Sequence, residues 1–97
     1  MKNQYDISTF VNVLTVQATG KNLCERFKKR RKEMGLSQRE MAMQSGVSYS
    51  SLRRFESTGE ISFVSLLNLA KVLGCLEDFN AVFATPIIKD LKDYNND

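Results

Sequence analysis

The sequence predicts an all-α fold: a bundle of four to five short helices with an extra helix at the N-terminus. Three observations predict it. Apolar residues recur at three- and four-residue steps from Leu23 to Phe83. Small polar residues open these runs and glycines close them, as helix caps do. The 97 residues contain one proline and five glycines, and no segment offers a partner for a lone strand. A chain of this length, 42% hydrophobic, suits one domain with one core.

The N-terminal segment has two patterns. Ile7, Phe10, Val11 and Leu14 follow Asp6, a candidate N-cap, at helical spacing. Val11, Val13 and Val16 are β-branched and would suit a strand. With nothing to pair against, the helix is the expectation, broken at Thr19-Gly20. The next helix is expected from about Asn22, with Glu25 three residues on as a loose capping box. Leu23, Phe27, the stem of Arg30 and Met34 would share its inner face, with Lys28, Lys29, Arg31 and Lys32 on the others. Gly35 ends it.

Ser37 and Glu40 form a clearer capping box and open a short helix closed by Gly46. Ser48 caps the following helix, which runs to about Glu56, and Ser57-Thr58-Gly59 reads as a turn. Ser62 caps a helix carrying Phe63, Leu66, Leu67, Ala70 and Leu73, stopped by Gly74. A fifth helix would place Leu76, Phe79, Val82 and Phe83 on one side and end before Pro86. Thr85-Pro86 is itself a good cap and first-turn pair, so a last short helix with Ile87, Ile88 and Leu91 could follow. The expected division is an N-terminal helical extension over 1–19, a main helical domain over 20–84 and a short tail over 85–97.

Charge is uneven along the chain. Residues 20–56 hold ten Lys/Arg against four Asp/Glu, whereas residues 57–97 hold three against six. A basic block suits a polyanion, and an acidic half suits something other than DNA, because like charge repels phosphate. Cys24 and Cys75 have no metal-ligand spacing, and there is no histidine. They read as reduced thiols in a cytoplasmic protein, with no metal and no cofactor. No signal peptide and no apolar run of about 20 residues is found, so a soluble chain off the membrane is expected. Without histidine, a glycine-rich phosphate loop or a paired-carboxylate site, nothing supports an enzyme.

The informative stretch is Gln38 to Ser57, QREMAMQSGVSYSSLRRFES. Two short helices meet at a tight turn. Ala42 is small where the second helix would cross the first, and Gly46 tolerates a positive φ. Met41, Val47, Leu52 and Phe55 would pack between the helices, leaving Tyr49, Ser50, Arg53 and Arg54 outward. That is a surface suited to base edges and phosphates in the major groove of double-stranded DNA.

Through RRKEMGLSQREMA, SGVSYSSLRRFE and LLNLAKVLG, the chain from Leu23 to Gly74 resembles the DNA-binding domain of Cro/C1-type repressors, the XRE family of helix-turn-helix regulators with a lambda-repressor-like fold. The resemblance implies base contacts from Tyr49, Ser50 and Arg54. It implies phosphate contacts from Gln38, Ser48, Arg53 and Arg39, and an ion pair between Arg31 and Glu56. Ser45 stands where the family has an apolar residue, which implies a more loosely packed turn. Glu60 stands where a phosphate contact is usual, which puts that contact in doubt. A homodimer is implied, because one recognition helix reads few base pairs. The stretch LLNLAKVLGCLEDFNAVF also resembles the HipB-like antitoxins encoded beside HipA-type kinases. Two functions therefore stay open: a stand-alone repressor, and an antitoxin that binds a HipA-type kinase and represses their operon.

Overall fold

The structure, a computed structural model, describes residues 15–88. Four α-helices follow one another: α1 (Val16–Glu33), α2 (Gln38–Ser45), α3 (Tyr49–Thr58) and α4 (Phe63–Val72). A 3₁₀ helix over Leu76–Ala81 comes last. There is no strand among the described residues. None of the helices there is long and apolar enough to cross a membrane. Helix α1 packs on α3, α2 on both α3 and α4, and the 3₁₀ helix on α4.

The expected break at Thr19-Gly20 is not there, and α1 runs straight through it. Thr15 is the cap, with extended backbone and a hydroxyl that accepts from the Ala18 N–H at 3.0 Å. The Thr19 hydroxyl donates back to the Thr15 carbonyl at 2.7 Å. A start at Thr15 makes Gly20 and Asn22 helix interior. Glu25 then serves no cap and lies 3.9 Å from Lys28. The rest of the expected N-terminal helix, with its Asp6 cap, falls outside the described residues.

The inner face of α1 is also turned by one residue from expectation. Cys24, Phe27 and Arg31 are buried, whereas Arg30 and Met34 are exposed and Leu23 is half-buried. An i, i+3, i+7 stripe fits this face as well as the expected one, and the partner of Arg31 on α3 decides between them. Phe27 meets Phe55 with ring centroids 5.3 Å apart and planes tilted by 60°. Around this pair Cys24, Met41, Val47, Leu52, Leu69 and Leu73 close the core, with Leu66 packed against it. Both cysteines are free thiols, Cys24 fully buried and Cys75 partly so.

The C-terminal elements are shorter than expected. In place of a fifth α-helix reaching Phe83, the 3₁₀ helix ends at Ala81, Val82 is extended and Phe83 takes φ 65°. Cys75, at the start of this element, provides no side-chain cap bond. Phe79 still meets Phe63 edge-on at 6.3 Å. No helix starts at Pro86, and Pro86–Ile88 are irregular. Leu91 and the rest of the tail lie outside the described residues.

Two glycines are required where they stand. Gly46 closes α2 at φ 79°, with open space around it. Gly59 closes α3 at φ 84°, and a Cβ there would sit 3.2 Å from the carbonyl carbon and oxygen of Gly20. This contact brings the second turn of α1 against the end of α3. Gly46→Ala should therefore lose only the conformational part, about 1–2 kcal/mol. Gly59→Ala should lose more, because Gly20 backbone must also move. Urea unfolding of the two variants measures the difference, and an equal loss would show that the close approach carries no cost.

Candidate nucleic-acid interface

The two central helices are set by their caps. Ser37 accepts from the Glu40 N–H at 3.0 Å, and the Glu40 carboxylate accepts from the Ser37 N–H at 2.8 Å, a complete capping box. That backbone bond, and then the Ser37 hydroxyl, holds Glu40 below the ordinary glutamate value. The box is therefore complete above the ordinary range and is lost as pH falls through the lowered value. After α2, the Ser45 hydroxyl donates to the Ala42 carbonyl at 3.4 Å and accepts from the Val47 N–H at 3.1 Å. The turn is tied by hydrogen bonds where a looser turn was expected. Ser48 then caps α3 by accepting from the Ser51 N–H at 3.1 Å.

Helix α3 has a buried side of Leu52, Phe55 and Glu56. Glu56 is 4% exposed and Arg31 is 6% exposed, so both charges lie inside the fold. Arg31 meets Glu56 as a two-pronged fork, Nε to Oε2 at 2.6 Å and Nη2 to Oε1 at 2.9 Å. Its Nη1 donates to the Leu36 carbonyl at 2.8 Å. Gln38 Nε2 donates to the same Oε1 of Glu56 at 2.9 Å. One carboxylate thus joins α1, the start of α2 and α3, and no buried polar side-chain atom among the described residues is left without a partner.

The outer side of α3 presents Ser50, Arg53 and Arg54, all exposed, with Tyr49 half-buried at its first turn. The Arg39 guanidinium lies over the Tyr49 ring, 4.1 Å from its centroid, and that of Arg53 lies 5.5 Å away. A ring face with its negative quadrupole holds both cations beside α3. Arg54 pairs with Glu60 of the α3–α4 loop, through Nε at 3.2 Å and Nη2 at 2.5 Å. A shallow depression of about 570 Å³ runs along this face, lined by Lys28, Gln38, Ser50, Arg53, Arg54, Glu56 and Ser57.

The structure thus brings Gln38, Arg39, Ser48, Tyr49, Ser50, Arg53 and Arg54 to one surface, and places Arg31 and Glu56 directly beneath it. Gln38 is turned inward, so a phosphate contact would use its second amide N–H. Two features escaped the sequence reading. The Arg39–Tyr49 stack joins two helices, and no spacing rule shows it; the i, i+4 spacing of Tyr49 and Arg53 was a usable sign. The Arg54–Glu60 pair spans a glycine turn, where only the opposite charges gave a hint.

The buried fork makes a stability prediction. Glu56→Ala leaves Arg31 and Gln38 without their acceptor and should cost about 3–5 kcal/mol in urea unfolding. The double replacement Arg31→Met/Glu56→Leu should cost markedly less, because no buried charge is stranded. A double variant as unstable as Glu56→Ala would mean that the loss comes from packing.

The chain matches the family model described as Helix-turn-helix over residues 27–79, more than half its length. No curated protein and no solved structure matches it at a significant level. The matched span starts in α1, covers α2, the tied turn, α3 and α4, and ends within the 3₁₀ helix, so it contains the whole charged surface. The chain belongs to the helix-turn-helix family, as a DNA-binding transcription regulator of the XRE type.

Proposed function

We propose that α3 is the recognition helix of a repressor and lies in the major groove of its operator. Tyr49, Ser50 and Arg54 face base edges, while Gln38, Ser48, Arg53 and Arg39 hold flanking phosphates. The observation that carries this reading is the two-sidedness of α3. Its inner side is locked by the Arg31–Glu56 fork, and its outer side presents arginines and hydroxyls with no apolar residue among them. A helix of this width fits the groove, and arginine matches the acceptor pair of guanine. Arg39 and Arg53, gathered over Tyr49, suit a phosphate better than a base.

Footprinting on the DNA upstream of its own gene, across a salt series, tests this. Affinity should fall steeply with salt, and a flat response would remove phosphate neutralisation as the driving term. Arg53→Ala should weaken specific and random DNA by a similar factor. Arg54→Ala should cost about 1–3 kcal/mol on the operator and relax preference at one base pair. Equal loss from Arg54→Ala on both DNAs would make Arg54 a phosphate contact.

The active unit is a symmetric dimer, with half-sites about 34 Å apart. Its support is the set of exposed large apolar side chains in α4 and after the 3₁₀ helix: Phe63 is 63% exposed, Val64 66%, Val82 54% and Phe83 100%. Phe83 also holds a positive φ that a bulky residue rarely adopts, as at a docking contact. The same surface would serve an antitoxin role, in which a HipA-type kinase binds there. Val64→Glu and Phe83→Ser should yield a monomer in sedimentation at micromolar concentration with helicity retained. A dimer that survives both changes would place the interface elsewhere, and co-purification of a HipA-type kinase with the native chain would favour the antitoxin.

A further inference from the structure

Glu60 is an acidic residue on a surface built for phosphate, and its placement is not loose. The Thr58 hydroxyl donates to the Arg54 carbonyl at 2.7 Å and accepts from the Glu60 N–H at 3.1 Å. The Glu60 carboxylate then receives the Arg54 side chain. Backbone and side chain together form a closed ring of contacts from Arg54 to Thr58 to Glu60 and back. The carboxylate is therefore carried by an anchored backbone, although both side chains are exposed at their tips.

The geometry of the pair matters as much as its charge. A guanidinium presents a side-on edge, formed by Nε and one terminal nitrogen, and an end-on edge, formed by its two terminal nitrogens. Glu60 takes the side-on edge of Arg54 through a single oxygen, Oε1. The end-on edge is left for an acceptor pair, which N7 and O6 of a guanine supply. A phosphate drawn to Arg54 would meet the Glu60 carboxylate beside it, and repulsion opposes that contact.

We propose that Glu60 is a specificity-determining residue of the DNA-reading face, which holds Arg54 end-on for a guanine and withholds it from the phosphate backbone. The inference rests on the reading of α3 as the recognition helix. In it Arg54 acts on the base and Glu60 acts through Arg54. The acidic residue thereby lowers affinity for random DNA and raises discrimination at one position.

The test uses the full chain with two probes: a randomised duplex pool for selection, and an alternating dA·dT duplex that contains no guanine. Wild type should enrich one guanine that Arg54→Ala does not. Glu60→Ala and Glu60→Gln should bind the dA·dT duplex roughly threefold to tenfold more tightly than wild type. Their enrichment of that guanine should fall by about fivefold or more. In an Arg54→Ala background the Glu60 changes should lose most of their effect. An undiminished effect there would reduce Glu60 to simple repulsion and overturn the positioning role. Unchanged guanine enrichment in both Glu60 variants, or weaker binding of the dA·dT duplex, would overturn it too. A wild type that enriches no sequence sinks the recognition-helix reading itself, and this inference with it.

Discussion

A single buried carboxylate ties three helices together. Glu56 is buried on the inner side of α3 and takes hydrogen bonds from Arg31 of α1 and Gln38 of α2. Such a pair brings little net stability, because taking two charges out of water offsets most of their attraction. Its effect is on register. A slip of α3 by one residue would rotate it by about 100°. Glu56 would leave the Arg31 fork, and Ser50, Arg53 and Arg54 would leave the outer face. Leu52 and Phe55, both fully buried in the core, resist the same slip, and the two-pronged hydrogen bond adds direction to their packing.

Above that fixed floor, the outer cations are organised by neighbours. Tyr49 gathers Arg39 from α2 and Arg53 from its own helix. Glu60 gathers Arg54 from the other end. The two devices treat arginine oppositely. An aromatic face leaves the positive charge whole and available to an anion, while a carboxylate neutralises it and fixes its direction. Arg39 and Arg53 thus keep their charge open beside Tyr49, while Arg54 on the same helix as Arg53 is paired and directed.

Much of this was legible in the sequence where the cause is local. The Ser37–Glu40 box, the Ser48 and Ser62 caps and the Gly46 turn are short-range hydrogen bonds or backbone preferences, and they stand at the positions their residues indicate. Misreadings fall where distant partners decide. Thr19-Gly20 looks like a break, yet α1 passes through because Thr15 caps it and Gly59 lies against Gly20. Periodicity puts Arg30 on the inner face of α1, but Arg31 is buried there instead, held by Glu56, the partner the family resemblance implies, and by the Leu36 carbonyl. After α4, Leu76, Phe79, Val82 and Phe83 have helical spacing, yet the segment forms only a 3₁₀ helix over Leu76–Ala81 with no side-chain cap at Cys75. In the candidate surface, composition pointed to the arginines. The division into base and phosphate contacts came from the family resemblance alone; the neighbours of the arginines, Tyr49 and Glu60, are brought to them by the fold and could not be read from spacing.

The central claim is that the face formed by α2 and α3 meets DNA while the apolar face around Phe63 and Phe83 does not. Titrating the isotope-labelled chain with a short duplex and following its backbone amide resonances tests this residue by residue. The account predicts shifts and broadening at Gln38, Arg39 and Ser48 through Arg54, with Leu76 through Phe83 little changed. Shifts centred on Val64, Val82 and Phe83, with the amides of α3 unmoved, would contradict it.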